Sequence, residues 1–221
     1  MTGAEDDSDD TGRLLIFLCG ANVCRSPAME FLTTRPMREL DVGQSWRFMS
    51  AGTSAVEAQR MCSSSAAALR GLPGGEAFVE AKRSHRLTPE LVARAGLIVV
   101  ATREERSAVA RLAPEARSRT FTMVEAALLA ESAAARDMGP TGGGPVTLGQ
   151  LAALLHDNRG VLVAEHPSWV NARLRGRSYR PPTLDIGDVH TGGARTHRPV
   201  LRDVRWASQH LTGALHRVLG R

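Results

Sequence analysis

The sequence predicts an α/β protein built on a parallel sheet, and three features of its 221 residues carry that expectation. Short runs are apolar at every position, as strands buried on both faces must be. Between them lie stretches with apolar residues three and four apart, the spacing of helices with one buried side. The two kinds alternate, the order that parallel strands joined by helical crossovers require.

The first run is Arg13-Leu14-Leu15-Ile16-Phe17-Leu18-Cys19, broken by Gly20-Ala21-Asn22. Ser26-Pro27 then reads as a helix start, with Ser26 as N-cap, Pro27 at the first helical position, and Met29, Phe31 and Leu32 as apolar followers. Trp46-Arg47-Phe48-Met49-Ser50 reads as a second strand stopped by Ala51-Gly52. Helical patterns follow at 62–71, 88–95 and 103–113, with a third strand, Gly96-Leu97-Ile98-Val99-Val100, between the last two. Arg119-Thr120-Phe121-Thr122 is a candidate fourth strand, and Val124 to Ala135 a helix. Gly139 to Pro145 is a flexible break, and no Lys-Ser/Thr follows it as a nucleotide-cradling loop would need. Thr147 to His156 is a short helix and Asn171 to Pro182 an Arg-rich loop. Val200 to Leu219 carries Leu201, Val204, Ala207, Leu211, Leu215 and Leu219 at helical spacing, a closing helix packed on the sheet.

Composition excludes several classes. With 43% hydrophobic and 23% charged residues the chain has material for one good core. No apolar run approaches the ~20 residues of a membrane span. The start is acidic where a secretory signal would be basic, and Leu14 to Leu18 is too short for its apolar core. Three cysteines, an odd number, suit reduced thiols rather than a disulfide scaffold. The expected location is therefore cytoplasmic. Residues 1–12, with five acids and no base, read as a disordered acidic tail, and 13–221 as one domain. The net charge of +5 thus understates a basic body, in which Lys82 is the only lysine. Such a body suits phosphorylated or acidic substrates. Aromatics at 4% leave little to stack bases, so no nucleic-acid partner is expected.

The chemistry concentrates where the first strand meets its helix. Cys19 ends the strand and Arg25 follows six residues later, at the turn where open α/β sheets bind ligands. A turn of this kind aims successive backbone N–H groups inward as an anion nest, backed by the positive end of the helix dipole. Arg25 would bring a planar fork matched to two phosphate oxygens, and the field would favour a thiolate nucleophile at Cys19. The plain alternative makes Cys19 a buried strand end and Arg25 a solvated first-turn side chain.

Phe17-Leu18-Cys19-Gly20-Ala21-Asn22-Val23-Cys24-Arg25-Ser26-Pro27 closely resembles the signature of the low-molecular-weight protein-tyrosine phosphatases, Cys-x-Gly-Asn-x-Cys-Arg-Ser-Pro. Further resemblances follow in order: Ser50-Ala51-Gly52-Thr53, Ser84-His85-Arg86-Leu87-Thr88-Pro89-Glu90-Leu91, and Arg111-Leu112-Ala113-Pro114-Glu115-Ala116. The likeness covers 13–125 well and 183–221 loosely. It implies a four-stranded parallel sheet flanked by helices in the order 2-1-3-4. It also implies a cysteine-dependent phosphomonoesterase acting on protein phosphotyrosine or a small aryl phosphate, without cofactor or metal. Cys19 would attack phosphorus to form a phosphocysteine. Arg25 and the N–H groups of Gly20, Ala21, Asn22, Val23 and Cys24 would bind the phosphate, and Ser26 would hydrogen-bond the sulfur. Asn22, in a left-handed conformation, would lock the loop by bonding Ser50. The family's proton donor is the Asp of an Asp-Pro-aromatic motif, here matched by Asp185-Ile186-Gly187-Asp188-Val189-His190. Asp188 is the expected general acid, with Asp185 as the alternative, and His190 stands where the aromatic flanks a phosphotyrosine ring. The resemblance further implies a reversible Cys19–Cys24 disulfide; Cys62 reads as a helix-packing residue.

The chain departs from the family at several points. Gly20-Ala21 stands for x-Gly, placing a Cβ where the loop has none. No aromatic follows Thr53, and Ala101-Thr102 replaces Met-Asp. Residues 126–182 form a helical and loop insertion before the acid segment; its Trp169, Tyr179 and Arg173, Arg175, Arg177 and Arg180 make either a lid or docking surface or a solvated loop. Three alternatives stay open: an arsenate reductase using a small external thiol, a non-catalytic phosphate-binding pseudo-phosphatase, and an Arg-rich nucleic-acid binder. Protein-arginine phosphatases of this fold carry Thr where this chain has Val23, which favours O-linked phosphate.

Overall fold

The strand β1 (Leu14–Cys19) is apolar throughout and buried at all six positions, so it must be covered on both faces and paired on both edges. The computed structural model, which describes residues 12–40, 45–140, 146–160, 183–189 and 194–220, meets both demands. After β1 come α1 (Arg25–Arg38) and β2 (Arg47–Gly52), then α2 (Ser63–Arg70), α3 (Gly75–Ala81) and α4 (Pro89–Arg94). β3 (Ala95–Val100), α5 (Arg103–Leu112), a 3₁₀ turn at Pro114–Arg119 and β4 (Thr120–Thr122) follow. α6 (Met123–Ala135), α7 (Leu148–Asp157) and α8 (Ala194–Leu219) complete the described elements.

All pairings are parallel and the strand order is β2-β1-β3-β4. The chain leaves β1 for one edge and returns to its other side at β3, which makes the carboxyl end of β1 the switch point where such sheets bind ligands. Cys19 lies there, level with Gly52 of β2.

Strand side chains alternate between the two faces. Leu15, Phe17, Leu97, Val99 and Phe121 join one core with Met29 of α1, Leu128 and Leu129 of α6, Leu151 of α7 and Leu211 and Leu215 of α8. Ile16, Leu18, Ile98 and Val100 join the other with Val92 of α4 and Val109 of α5. Capping boxes start three helices: Thr102 with Glu105, Thr122 with Glu125, and Thr147 with Gln150.

Four local expectations are corrected. α1 begins at Arg25 with Cys24 at its N-cap position, because the Ser26 hydroxyl is bonded elsewhere. α8 begins at 194 rather than 200 and passes through Pro199. Only the carbonyl of residue 195, in the opening turn, loses its partner to that proline. α3, unforeseen, follows Gly74 in a left-handed conformation (φ 78°) and so hid behind a Gly-Gly turn signal. Of the expected insertion 126–182, residues 126–135 belong to α6, which packs along α8 in the core, and 148–157 form α7 against β3. Trp169, Tyr179 and the arginines from Arg173 to Arg180 lie outside the described residues, as does the tail 1–11. No helix among the described residues is long and apolar enough to cross a membrane.

Candidate active site

The turn after β1 is held from within. Asn22 adopts φ 55°, a left-handed conformation that Asn tolerates better than most residues. Its N–H thereby lies 3.3 Å from Cys19 Sγ. The Asn22 side chain, 1% exposed, makes three hydrogen bonds. Its Nδ2 donates to Ser26 Oγ and to Ser50 Oγ, each at 2.8 Å, and its Oδ1 accepts from His85 N–H at 2.8 Å. The expected bond to Ser50 is therefore present. Gly52 completes the frame: a Cβ there would fall 2.5 Å from Gly20 O and 2.9 Å from Asn22 N, so only glycine lets β2 abut the loop.

Ser26 Oγ lies 3.1 Å from Cys19 Sγ and 3.2 Å from Ala51 O. The hydroxyl has one proton and already accepts from Asn22. With a neutral thiol it accepts from sulfur and donates to Ala51; with a thiolate it turns to donate to sulfur.

Arg25 is 2% exposed, and its guanidinium is anchored on three sides. Nη1 donates to Ile186 O at 3.1 Å; Nη2 lies 3.3 Å from Glu105 Oε1 and 2.9 Å from Asp188 Oδ2. Glu105 is buried too, its other oxygen taken by the N–H (2.7 Å) and hydroxyl of Thr102. One carboxylate thus caps α5 and orients Arg25 (a pairing that keeps the buried charge compensated). A Cβ on Gly20 would stand 3.9 Å from Arg25 Nη2 and 4.0 Å from Asp188 Oδ2, ordinary contacts, so this position borders the site without requiring glycine.

The segment 183–189 brings two carboxylates with opposite environments. Asp185 accepts from Arg103 N–H at 2.8 Å and from its guanidinium at 3.0 and 2.7 Å. Burial pushes the Asp185 carboxyl up, but the Arg103 bonds outweigh it and hold the group below the usual carboxylate range. The Asp188 side chain is 58% exposed and reaches over the loop to Arg25. Ile186 anchors the segment, fully buried, with its N–H on Ala101 O at 2.9 Å. Arg25, Thr102, Glu104, Glu105, Asp185 and Asp188 line a cavity of about 250 Å³. His190 lies outside the described residues.

The loop's reverse side differs. Val23 is buried, and its carbonyl accepts from Cys62 N–H at 2.8 Å. Cys24 Sγ lies 3.1 Å from Ser65 Oγ and faces Cys62 and His197. Cys62 is more than a packing residue. It caps α2, its sulfur accepting from Ser65 N–H at 3.4 Å, and lies 3.7 Å from His197 Nε2. Hydrogen bonding from Cys24 pulls the half-buried Cys62 down to about 5, and the same contact, with burial, holds Cys24 up. Cys19 and Cys24 are both free; the side-chain contacts of Cys24 run to Ser65 and Cys62.

The structure thus gathers Cys19, the loop 20–26 and Asp188 around Arg25, and it sets Asp185 aside as an anchor. Sequence reasoning missed Glu105, whose signal was the capping box Thr102-x-x-Glu105, and the Ile186 carbonyl, which has none. Val56, in the segment after Thr53, is exposed to 62%.

A thiol at the base of a turn that aims the Asn22 N–H at it, with a buried arginine and an exposed carboxylate at the switch point of a 2-1-3-4 sheet, is the arrangement of a cysteine-based phosphatase. The profile described as low molecular weight phosphotyrosine protein phosphatase matches residues 14–155, and the chain belongs to that family. No curated protein matches the sequence. Among solved structures the fold is similar to that of the tyrosine phosphatase Wzb from Escherichia coli K30 in complex with phosphate: TM-score 0.54, 18% identity, 93% of this chain and 99% of that one. Erwinia amylovora tyrosine phosphatase AmsI gives 0.55, 16% identity, 96% and 95%. YwlE arginine phosphatase from Geobacillus stearothermophilus gives 0.55, 18% identity, 92% and 93%.

Proposed function

We propose that this phosphatase hydrolyses phosphotyrosine in proteins through a phosphocysteine on Cys19. The observation that carries the reading is the approach of Asp188 Oδ2 to Arg25 Nη2 at 2.9 Å over the loop, which puts a proton carrier beside the phosphate cradle. Arg25 and the loop N–H groups hold the equatorial oxygens, taking over the guanidinium edge that Asp188 occupies. Cys19 Sγ attacks phosphorus in line; the S–P bond forms as the bond to the leaving oxygen breaks, and Asp188 gives that oxygen its proton. Asp188, now a carboxylate, takes a proton from water as the water attacks phosphorus. Inorganic phosphate leaves, and the Ser26 hydroxyl turns to the departing thiolate. The proximity of Asn22 N–H and Ser26 Oγ to the sulfur supports this sequence.

The phosphorylated substrate class rests on the family, and two of the structural neighbours are named tyrosine phosphatases. Another is named an arginine phosphatase; the apolar, buried Val23 in the loop favours the O-linked ester here. The test offers phosphotyrosyl, phosphoseryl and phosphoarginyl peptides to the wild type and to Cys19→Ser, with phosphate release and acid-quenched mass spectrometry as readouts. The expected result is release from phosphotyrosine, a transient phosphoenzyme on Cys19 and no release by Cys19→Ser. A preference for phosphoarginine would move the substrate class, and release that survives Cys19→Ser would overturn the mechanism.

A further inference from the structure

We propose that the reverse side of the phosphate loop is a binding site for a thiophilic d¹⁰ cation, Zn²⁺, held by Cys24, Cys62 and His197. The three donor atoms, two sulfurs and an imidazole nitrogen, lie within 4.8 Å of one another. Tetrahedral zinc, with Zn–S near 2.3 Å and Zn–N near 2.05 Å, holds a sulfur and a nitrogen about 3.5 Å apart and two sulfurs about 3.8 Å apart. Cys62 Sγ and His197 Nε2 are already 3.7 Å apart. Cys24 and His197 are 3% and 2% exposed, so two of the three donors are buried, while Cys62 opens the set toward solvent.

The chemistry of the donors selects the ion. Two thiolates and an imidazole favour zinc over the hard cations Mg²⁺ and Ca²⁺, which take oxygen. Zinc takes both sulfurs as thiolates, so any thiol proton the pair still carries goes to solvent on binding. Ser65 supplies outer support, its N–H on Cys62 Sγ and its hydroxyl on Cys24 Sγ. Cys62, the partly exposed member, gives the ion its entry path and leaves the fourth position to water.

The donors come from three elements: Cys24 from the phosphate loop, Cys62 from the N-cap of α2, and His197 from the opening turn of α8. That helix follows the segment carrying Asp188, so the ion ties the nucleophile's loop to the element next to the proton donor. The site lies behind Cys19 and takes no part in the proposed reaction.

The test titrates Zn²⁺, and Co²⁺ as its spectroscopic stand-in, into reduced wild type, Cys19→Ser, Cys62→Ser and His197→Ala, reading stoichiometry, thiolate-to-cobalt charge-transfer absorption and Tm. One equivalent is expected, with charge-transfer bands and a raised Tm in the wild type and in Cys19→Ser alike. Cys62→Ser and His197→Ala, each shown folded by circular dichroism, lose more than the roughly 10–100-fold in affinity that removing an outer-shell partner costs. Absence of binding overturns the proposal. So does binding abolished by Cys19→Ser, which puts the ion on the nucleophile, or binding indifferent to His197→Ala. None of these readouts depends on phosphatase activity.

Discussion

Residues 19–26 and residues 183–189 meet at the Arg25 guanidinium, and they reach it by different means. The loop 19–26 continues a buried strand, and its shape is fixed by bonds within it, Asn22 to Ser26 and Asn22 N–H to Cys19, together with clamps from outside it, Asn22 to Ser50 and to His85 N–H and Gly52 pressed against Gly20. The segment 183–189 has no regular structure of its own. Buried Ile186 with its bond to Ala101, the Asp185–Arg103 pair and the Ile186 carbonyl on Arg25 place it. The comparison teaches that a cradle for a charged group is bonded on every side, from within and from its neighbours, while the group that moves a proton is tethered at one end and exposed at the other.

The sharpest way to separate the two regions is Asp188→Asn, which leaves the cradle intact. It is expected to lower kcat by about 10²–10⁴-fold on an aryl ester with a poor leaving group. The loss should shrink for an acidic phenol that needs no proton. A plot of log kcat against leaving-group pKa checks this, and an unchanged slope would remove Asp188 from the acid role.

Breaking the loop itself should show in stability. Asn22→Ala strands polar groups of Ser26, Ser50 and His85 and puts alanine at a positive φ. A cost of about 1–3 kcal/mol is expected from the buried groups left unpaired, measured as a fall in the urea midpoint, with activity reduced in parallel.

Loosening the tether is milder. Arg103→Ala removes the guanidinium from Asp185, leaving only the backbone N–H bond, and lets Asp188 drift, so kcat should fall about tenfold, below the roughly 10²-fold that a 1 Å misplacement can cost. The urea midpoint should hardly move, because the pair is on the surface. A large midpoint shift would make the tether a folding element instead.

The smallest effect is in acid. Asp185 titrates below its unfolded value, so its contribution is present above the ordinary carboxylate range and is lost as pH falls through the lower folded value. Wild type and Asp185→Asn should therefore differ in Tm at pH 7 and converge at the acid end. A gap that persists in acid would show that the aspartate acts through packing rather than charge.

The sheet and the cradle were legible because their signals are local. A wholly apolar run, a Cys-x5-Arg turn and Ser50-Ala51-Gly52-Thr53 each lie within a dozen residues, and Asn22's bond to Ser50 follows from the resemblance those residues carry. α3 and the first turn of α8 were not legible, since Gly74-Gly75 and Pro199 read as breaks while neighbouring elements stabilise them as helix. Ser26 shows the same limit at one residue: its sequence context fits an N-cap, but the sulfur and Asn22 claim its hydroxyl.

By itself, then, the sequence determined which strands are buried, where the anion-binding turn falls and which residue types furnish it, because periodicity and spacing express local geometry directly. Only the tertiary structure decided that Asp188 rather than Asp185 faces Arg25, that Glu105 pins the guanidinium, and that Cys24 lies beside Cys62 and His197. These contacts join residues up to 173 positions apart (Cys24 to His197). No local preference encodes them; they exist because burying both faces of one sheet forces distant elements against the same loop.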